Sequence, residues 1–195
     1  MPLTTELNIE THIPYLEELL TPWKDTIGQD YSGYKNHVYR MVQFCWALKL
    51  SRGESLTEDE KKKIMIAATF HDIGIWVGNT LDYLDPSIPP AMAYLESQGL
   101  SDWKQEIELM ITEHHKLSPF TESQLDQKKV AMIELFRQGD VIDFSLGMVK
   151  FGLPKTYIKA MKSAIPNIGF HLGLLKKGMS WFIRHPFNPA PMMKK

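Results

Sequence analysis

The most informative part of this sequence is residues 64–76, where the apolar run IMIAATF is followed by His71 and Asp72 and then by IGIW. Apolar neighbours on both sides predict that the two polar side chains are buried. Burying an imidazole or a carboxylate is costly unless the group is paired or bound to a metal ion. The pair is therefore a candidate for an ion-paired or metal-binding site.

Two other segments place polar side chains that could bind a metal ion beside an apolar stripe. The segment NHVYRM carries His37 and Arg40 three residues apart, and RQGDVIDF carries Asp140 and Asp143 at the same spacing. Residues three apart lie on the same side of a helix. This pattern is typical of side chains that point into a helical bundle as ligands.

The order of these residues resembles the HD-domain metal-dependent phosphohydrolase superfamily. The matching segments lie within about residues 34–150: NHVYRMV for the first histidine, AATFHDIG for the signature, MITEHHK for the intervening helix and GDVIDF for the closing aspartate. The resemblance implies an all-α HD fold in which His37, His71, Asp72 and Asp140 bind one metal ion.

Two imidazoles and two carboxylates suit a divalent transition metal, namely Mn, Fe, Co, Ni or Zn, better than Mg, which prefers oxygen ligands. The sequence does not distinguish among these five metals. The resemblance implies hydrolysis of a small phosphorylated substrate, a phosphomonoester or a nucleotide, with metal-bound hydroxide attacking phosphorus. Asp72 is thus assigned to catalysis as well as to metal binding.

The residues after the His-Asp pair depart from the superfamily. Some members carry an acidic residue or a lysine there, whereas this chain has Ile75 and Trp76. Members that bind two metals need further histidines before the last aspartate, and this chain has His114 and His115 alone in that interval. We therefore expect one metal ion. The residues that follow the His-Asp pair offer no proton donor.

Three residues near the motif have open interpretations. His114 is preferred to His115 for binding phosphate or protonating the leaving group, because it shares a helix side with apolar residues; the alternative is a half-buried histidine without a catalytic role. Arg40 either clamps phosphate as a bidentate donor or forms a structural salt bridge. Asp143 either orients a ligand from behind or has a solvated or capping role.

Helical spacing of apolar residues dominates the chain, with no clear strand signal. It predicts an all-α single domain, an HD-domain helical bundle of about seven or eight helices. We expect residues 1–150 to form the HD domain, with the metal-site core in about 34–150. Residues 151–195 are expected to form a basic C-terminal helical extension packed on the same domain.

Local signals predict where several helices begin and end. Thr57 and Glu60 form a Thr-x-x-Glu capping box, and Ser101 is the expected N-cap of a later helix. Gly139 interrupts the periodic pattern around the closing aspartate. Three prolines in residues 77–90 predict an ordered loop.

The charges divide the chain unevenly. All 23 acidic residues and 13 of the 22 basic ones lie in residues 1–143, which gives formal charges of −10 there and +9 in residues 144–195. We expect the basic part to pack on the acidic body of its own chain or of a second subunit in a homodimer. Peripheral contact with an anionic membrane is the less favoured alternative.

The composition narrows the classes of protein to which this chain can belong. One cysteine, Cys45, excludes an internal disulfide, and no apolar stretch is long enough to cross a membrane. The first twenty residues lack the pattern of a secretory signal, so a cytoplasmic protein is expected. The expected partner is a small-molecule substrate, with no nucleic acid polymer.

Two alternative functions keep the same residues. A hydratase of the HD fold adds water to a small neutral nitrile-like substrate, and the uncharged residues after the signature favour this chemistry. A non-enzymatic HD protein uses the metal for stability and acts as a scaffold or sensor.

Overall fold

Helices account for all the regular secondary structure in the part of the chain that the structure describes, residues 8–188 and 190–194 of a computed structural model. Seven of the α-helices have ten residues or more, so the prediction of an all-α single domain with about seven or eight helices is confirmed at that level. None of the described helices is long and apolar enough to cross a membrane. The α-helices are α1 (Pro14–Leu20), α2 (Lys24–Ile27), α3 (Tyr31–Ser51), α4 (Glu58–Phe70), α5 (Gly74–Val77), α6 (Leu84–Ser97), α7 (Lys104–Glu113), α8 (Gln127–Phe144), α9 (Lys155–Ala164) and α10 (Phe170–Arg184).

Helix α3 is the central element, and most of its residues between Gly33 and Leu48 are buried. It packs along α8, which also contacts α7. Gly139 of α8 lies at the contact with α3: a Cβ atom there would overlap the Cys45 sulfur and lie 2.9 Å from the carbonyl oxygen of Met41. The predicted interruption at Gly139 is wrong. Helix α8 is continuous, and the glycine allows the two backbones to approach closely.

Helix α4 carries the apolar run into the protein. Its predicted capping box is present, because Glu60 N donates to Thr57 Oγ1 at 3.2 Å and Thr57 N donates to the Glu60 carboxylate at 2.7 Å. Every residue from Ile64 to Phe70 is buried. The helix ends at Phe70, so the residues that follow it leave the helix inside the protein.

Helix α6 corrects the predicted loop over residues 77–90. The helix begins at Leu84 and contains Pro89 and Pro90 in its interior. Prolines there remove backbone hydrogen bonds, at a cost of about 3 kcal/mol each in an exposed helix. Leu84 and Leu95 are fully buried, and α6 packs against α4, α5 and α7. Tertiary packing therefore outweighs the local preference of the prolines.

The start of α7 also differs from the prediction. Ser101 lies in the 3₁₀ helix Ser101–Trp103 that leads into α7, and the N-cap of α7 is Trp103, which makes no side-chain capping bond. The predicted Ser101 N-cap is wrong, because a 3₁₀ turn takes the place of a capping side chain.

Parts of the C-terminal segment pack against α3 and the turn before it. Asn36 donates to the carbonyl oxygen of Pro166 at 2.7 Å, and the α10 residue Lys177 forms a 3.1 Å ion pair with Asp30. At Gly33, an added Cβ atom would lie 3.3 Å from the Cβ of Phe170. These contacts hold the basic segment on the body of the chain, while the boundary at residue 150 stays a prediction.

Substitution of Gly139 by alanine tests the close approach of α3 and α8. We expect Gly139→Ala to lower the free energy of unfolding by about 1–3 kcal/mol, because the new methyl group overlaps Cys45 and the α3 backbone. The matched control is Gly178→Ala in α10, where a Cβ atom meets nothing within 4 Å. In this control the free energy of unfolding should rise by up to about 1 kcal/mol, because alanine has a higher helix propensity than glycine. Chemical denaturation followed by circular dichroism measures both, and equal effects would contradict the packing.

Candidate metal centre

Four structural elements deliver polar side chains to one buried point. His37 comes from α3, His71 and Asp72 follow the last turn of α4, and Asp140 comes from α8. His114 follows the end of α7. All five side chains are buried, although each is polar or charged.

Three of these groups have the spacing of a metal site. His37 Nε2 lies 3.0 Å from His71 Nε2, and Asp72 Oδ2 lies 3.2 Å from His71 Nε2 and 3.9 Å from His37 Nε2. One ligand atom of each group lies within 4.8 Å of the other two. The buried cluster of His37, His71 and Asp72 can therefore hold a metal ion.

Asp140 faces the same point. Its Oδ1 atom lies 3.4 Å from His37 Nε2 and 3.9 Å from His71 Nε2. The four side chains that the resemblance marks as ligands thus come together from three separate parts of the chain. The set combines two imidazoles with two carboxylates, a mixture typical of transition-metal sites.

Hydrogen bonds fix the orientation of the three central imidazoles. In each ring Nδ1 lies 2.7 Å from an oxygen that accepts a hydrogen bond, so Nδ1 carries a proton and Nε2 is the atom that faces the centre. Outer partners of this kind are the usual way in which proteins orient metal-ligating histidines. The acceptors for His37, His71 and His114 are, in that order, Asp143 Oδ2, the Ala68 carbonyl oxygen and the Ile111 carbonyl oxygen.

This arrangement brings four groups of metal-ligand type together. His37 Nε2 and His71 Nε2 are 3.0 Å apart, and the carboxyl groups of Asp72 and Asp140 lie beside them. Polar groups buried this closely are costly unless they are paired with one another or bound to a cation. The donor set therefore fits a divalent metal.

Arg40 forms a structural salt bridge, one of the two roles expected for it, and its guanidinium is taken up by protein groups. Its Nε donates to Asp143 Oδ1 at 2.6 Å and its Nη2 donates to Asp143 Oδ2 at 2.8 Å. Its Nη1 donates to the carbonyl oxygens of Ile165 and Pro166, both at 3.2 Å. The bidentate geometry was predicted, but Asp143 takes the place of phosphate. Arg40 therefore holds Asp143, which in turn holds His37.

His114 lies beside the ligands, as the preference for it over His115 predicted. Its Nε2 is 3.5 Å from Asp72 Oδ1, and Tyr83 Oη lies 3.3 Å from the same nitrogen. Tyr83 was missed by sequence reasoning because it stands in the segment interpreted as a loop. Its position depends on Gly74, where a Cβ atom would overlap the Tyr83 carbonyl oxygen.

Burial and charge shift the pKa values of the central groups in different directions. Burial lowers the pKa of His37 to about 4, even though its bond to Asp143 favours the protonated form. Burial raises the pKa of Asp140 to about 7. Burial also disfavours the charged form of Asp72, but His71 and His114 outweigh it and hold the pKa of Asp72 well below its usual range. Arg40 and His37 likewise hold the pKa of Asp143 low against its burial.

Aromatic rings cover the centre on the side of α10. The Phe170 ring stacks on His37 with centroids 4.5 Å apart, and Tyr34 lies between His71 and Trp76. A small cavity of about 50 Å³ beside these rings is lined by Trp76, Phe170 and Lys177 among others. Phe170 belongs to the segment beyond the motif, and nothing in the sequence linked it to His37.

Comparisons with known proteins return no match. No protein-family model, no curated protein and no solved structure matches this chain. The functional interpretation therefore depends on the residues of this chain and on their geometry.

Loss of one ligand should remove the metal. We expect the purified protein to bind close to one equivalent of a divalent transition metal, and His71→Ala to lose at least about 90% of it, because removing an imidazole ligand weakens metal binding strongly. Asp140→Asn keeps the shape of the side chain and should weaken binding in the same direction. Elemental analysis after dialysis measures both, with His12→Ala as an exposed control. Equal metal content in all four proteins would refute the site.

Acid should release the metal through Asp140. Metal binds the unprotonated carboxylate, and the pKa of Asp140 in the metal-free protein is about 7. Affinity should therefore rise about tenfold from about pH 6 to about pH 8, with most of the change below neutrality. Isothermal titration calorimetry at several pH values measures this, with Asp140→Asn expected to give a weaker and flatter profile. An identical slope in the variant would contradict the assignment.

Proposed function

We propose that this chain is a metal-dependent phosphohydrolase of the HD-domain type that acts on a small phosphorylated substrate of the phosphomonoester or nucleotide class. The observation that carries the proposal is the convergence of His37, His71, Asp72 and Asp140 on one buried point. The order of these four residues along the chain, within segments that resemble the superfamily, supports it further.

The groups around the centre suit hydrolysis. A divalent metal held there supplies a water of lowered pKa and neutralises negative charge on the substrate. Asp72 presents Oδ2 to the imidazole cluster and Oδ1 to His114, so one carboxylate links the ligands to a possible proton carrier. Because Nδ1 of His114 already donates to Ile111, an added proton goes to Nε2, which faces Asp72. In this proposal His114 delivers that proton to the leaving group.

The surroundings favour a small substrate. The metal-binding side chains are buried, and the neighbouring cavity is small. Lys177 at its edge is paired with Asp30 at 3.1 Å, and both side chains are partly exposed. An incoming phosphate can compete with Asp30 for this ammonium group, since partly exposed ion pairs are weak.

The position of Arg40 supports a second candidate. Arg40 was expected either to clamp phosphate or to form a salt bridge, and its buried guanidinium is bonded to Asp143 and to two carbonyl oxygens. A neutral substrate needs fewer positive contacts than a phosphate ester. Hydration of a small nitrile-like substrate at the same centre is therefore the second proposal.

A substrate panel separates the two candidates. The metal-loaded protein is assayed against chromogenic phosphate esters, nucleotides and small nitriles with each of the five metals. Phosphate release supports the first proposal, and amide formation from nitriles supports the second. If neither occurs while metal is bound, both enzyme proposals are wrong and the metal has a structural role.

Substitution of His114 tests its proposed role as a proton carrier. We expect His114→Gln to retain its metal and to lower kcat about 10²-fold or more, because general acid catalysis contributes on that order. The acidic limb of the pH–rate profile should also change. The neighbouring His115→Gln is the matched control and should stay within about twofold of the native rate. Equal losses in the two variants would show that His114 has no specific role.

A further inference from the structure

Helix α10 presents an apolar face to solvent. Its inner side holds Phe170 and Leu174 against the core. On the opposite side, five large apolar side chains fall within an arc of about 100° and are all exposed; Leu175 is 60% exposed and Ile183 is 74% exposed. We call this set the outer face of α10: Leu172, Leu175, Met179, Phe182 and Ile183.

The exposed apolar surface is concentrated in this part of the chain. Among the described residues up to 143, the large apolar side chains that are exposed are Leu50, Val77 and Leu117, and they come from separate segments. The other exposed ones lie between residues 144 and 193 and include Phe144, Met148 and Phe187 besides the outer face. Clustered apolar exposure of this kind marks an interaction surface.

Positive charge lies beside and behind the outer face. Lys176 borders the apolar arc, whereas Lys177 and Arg184 lie nearer the inner side of the helix. All three line a cleft of about 270 Å³ between α10 and the segment before α6. Residues 144–195 contain nine basic residues and no acidic one. A helix with an apolar arc and basic residues beside it is the pattern of helices that lie in the plane of a membrane surface.

We propose that the outer face of α10 binds an anionic lipid surface, with the helix lying parallel to the membrane. Fifteen residues make a helix of about 22 Å, which is shorter than the hydrocarbon core of a bilayer. The apolar side chains enter the interface, while Lys176 beside them contacts phosphate groups of the lipids and the net positive charge of the segment favours an anionic surface. This gives the basic segment a partner outside the chain, which our sequence analysis had ranked below packing within the protein.

A second copy of the chain fits this surface less well. A two-fold interface through α10 places the same basic segment of each copy together, and like charges repel. A head-to-tail contact brings the outer face to the acidic body, where Leu50, Val77 and Leu117 are isolated and offer no apolar face in the described structure. An anionic membrane provides both an apolar layer and the opposite charge.

Vesicle binding by the full chain tests the proposal. We expect it to co-float with vesicles of phosphatidylcholine containing about 30% phosphatidylserine at least tenfold more than with pure phosphatidylcholine, and to be released by added salt. The double variant Leu175→Ser/Ile183→Ser should bind at least tenfold more weakly, since each leucine or isoleucine buried contributes about that factor. The charge variant Lys176→Gln should lose about fivefold, which is the contribution of one basic residue at an anionic surface.

The matched control is Leu117→Ser, which removes an equally exposed apolar side chain from the acidic part of the chain. Its vesicle binding should equal that of the native protein, and circular dichroism should show the same helix content in all variants. If the apolar variant fails to fold, the charge variant alone decides the outcome.

Three results would overturn the proposal. The first is no preference for anionic vesicles, and the second is an equal loss in Leu117→Ser. The third is a stable dimer in sedimentation velocity that Leu175→Ser/Ile183→Ser dissociates, which would show that the outer face binds a second copy.

Discussion

The packing of two imidazoles and two carboxyl groups at one buried point is the constraint on which the rest of the structure depends. His37 Nε2 and His71 Nε2 lie 3.0 Å apart, while their Nδ1 atoms donate to Asp143 and to the Ala68 carbonyl oxygen on the outer sides of the rings. Burying such groups together is costly unless they are paired or bind a cation. The surrounding helices must therefore hold the two rings in this orientation and keep the four side chains together.

The helix ends and the ion pair around Arg40 perform these tasks. Arg40 of α3 binds Asp143 of α8 through two hydrogen bonds, so the same contact joins the two central helices and orients His37. Its remaining bonds to the Ile165 and Pro166 carbonyl oxygens reach the basic C-terminal segment. One buried guanidinium thus links the central helices, the outer partner of a ligand and the segment that leads to α10.

The sequence allowed the burial of His37, His71 and Asp72 to be predicted because apolar surroundings and helical spacing are local properties. The capping box at Thr57 and the buried run before His71 lie within a single helix, and both are confirmed. The errors arose where distant contacts decide the outcome. The prolines of α6 are tolerated because neighbouring helices bury Leu84 and Leu95, and Arg40 is bound by a residue more than a hundred positions away. Tyr83 and Phe170 contact the centre through tertiary packing alone, so no spacing rule could reveal them.

The central claim concerns the metal, and anomalous diffraction at its absorption edge tests that claim most directly. Crystals of the metal-loaded protein, measured on both sides of the edge, should show one strong anomalous peak. We predict that this peak lies about 2.0–2.3 Å from His37 Nε2, His71 Nε2 and a carboxylate oxygen each of Asp72 and Asp140. Crystals that contain stoichiometric metal with no anomalous peak among these four side chains would contradict the account.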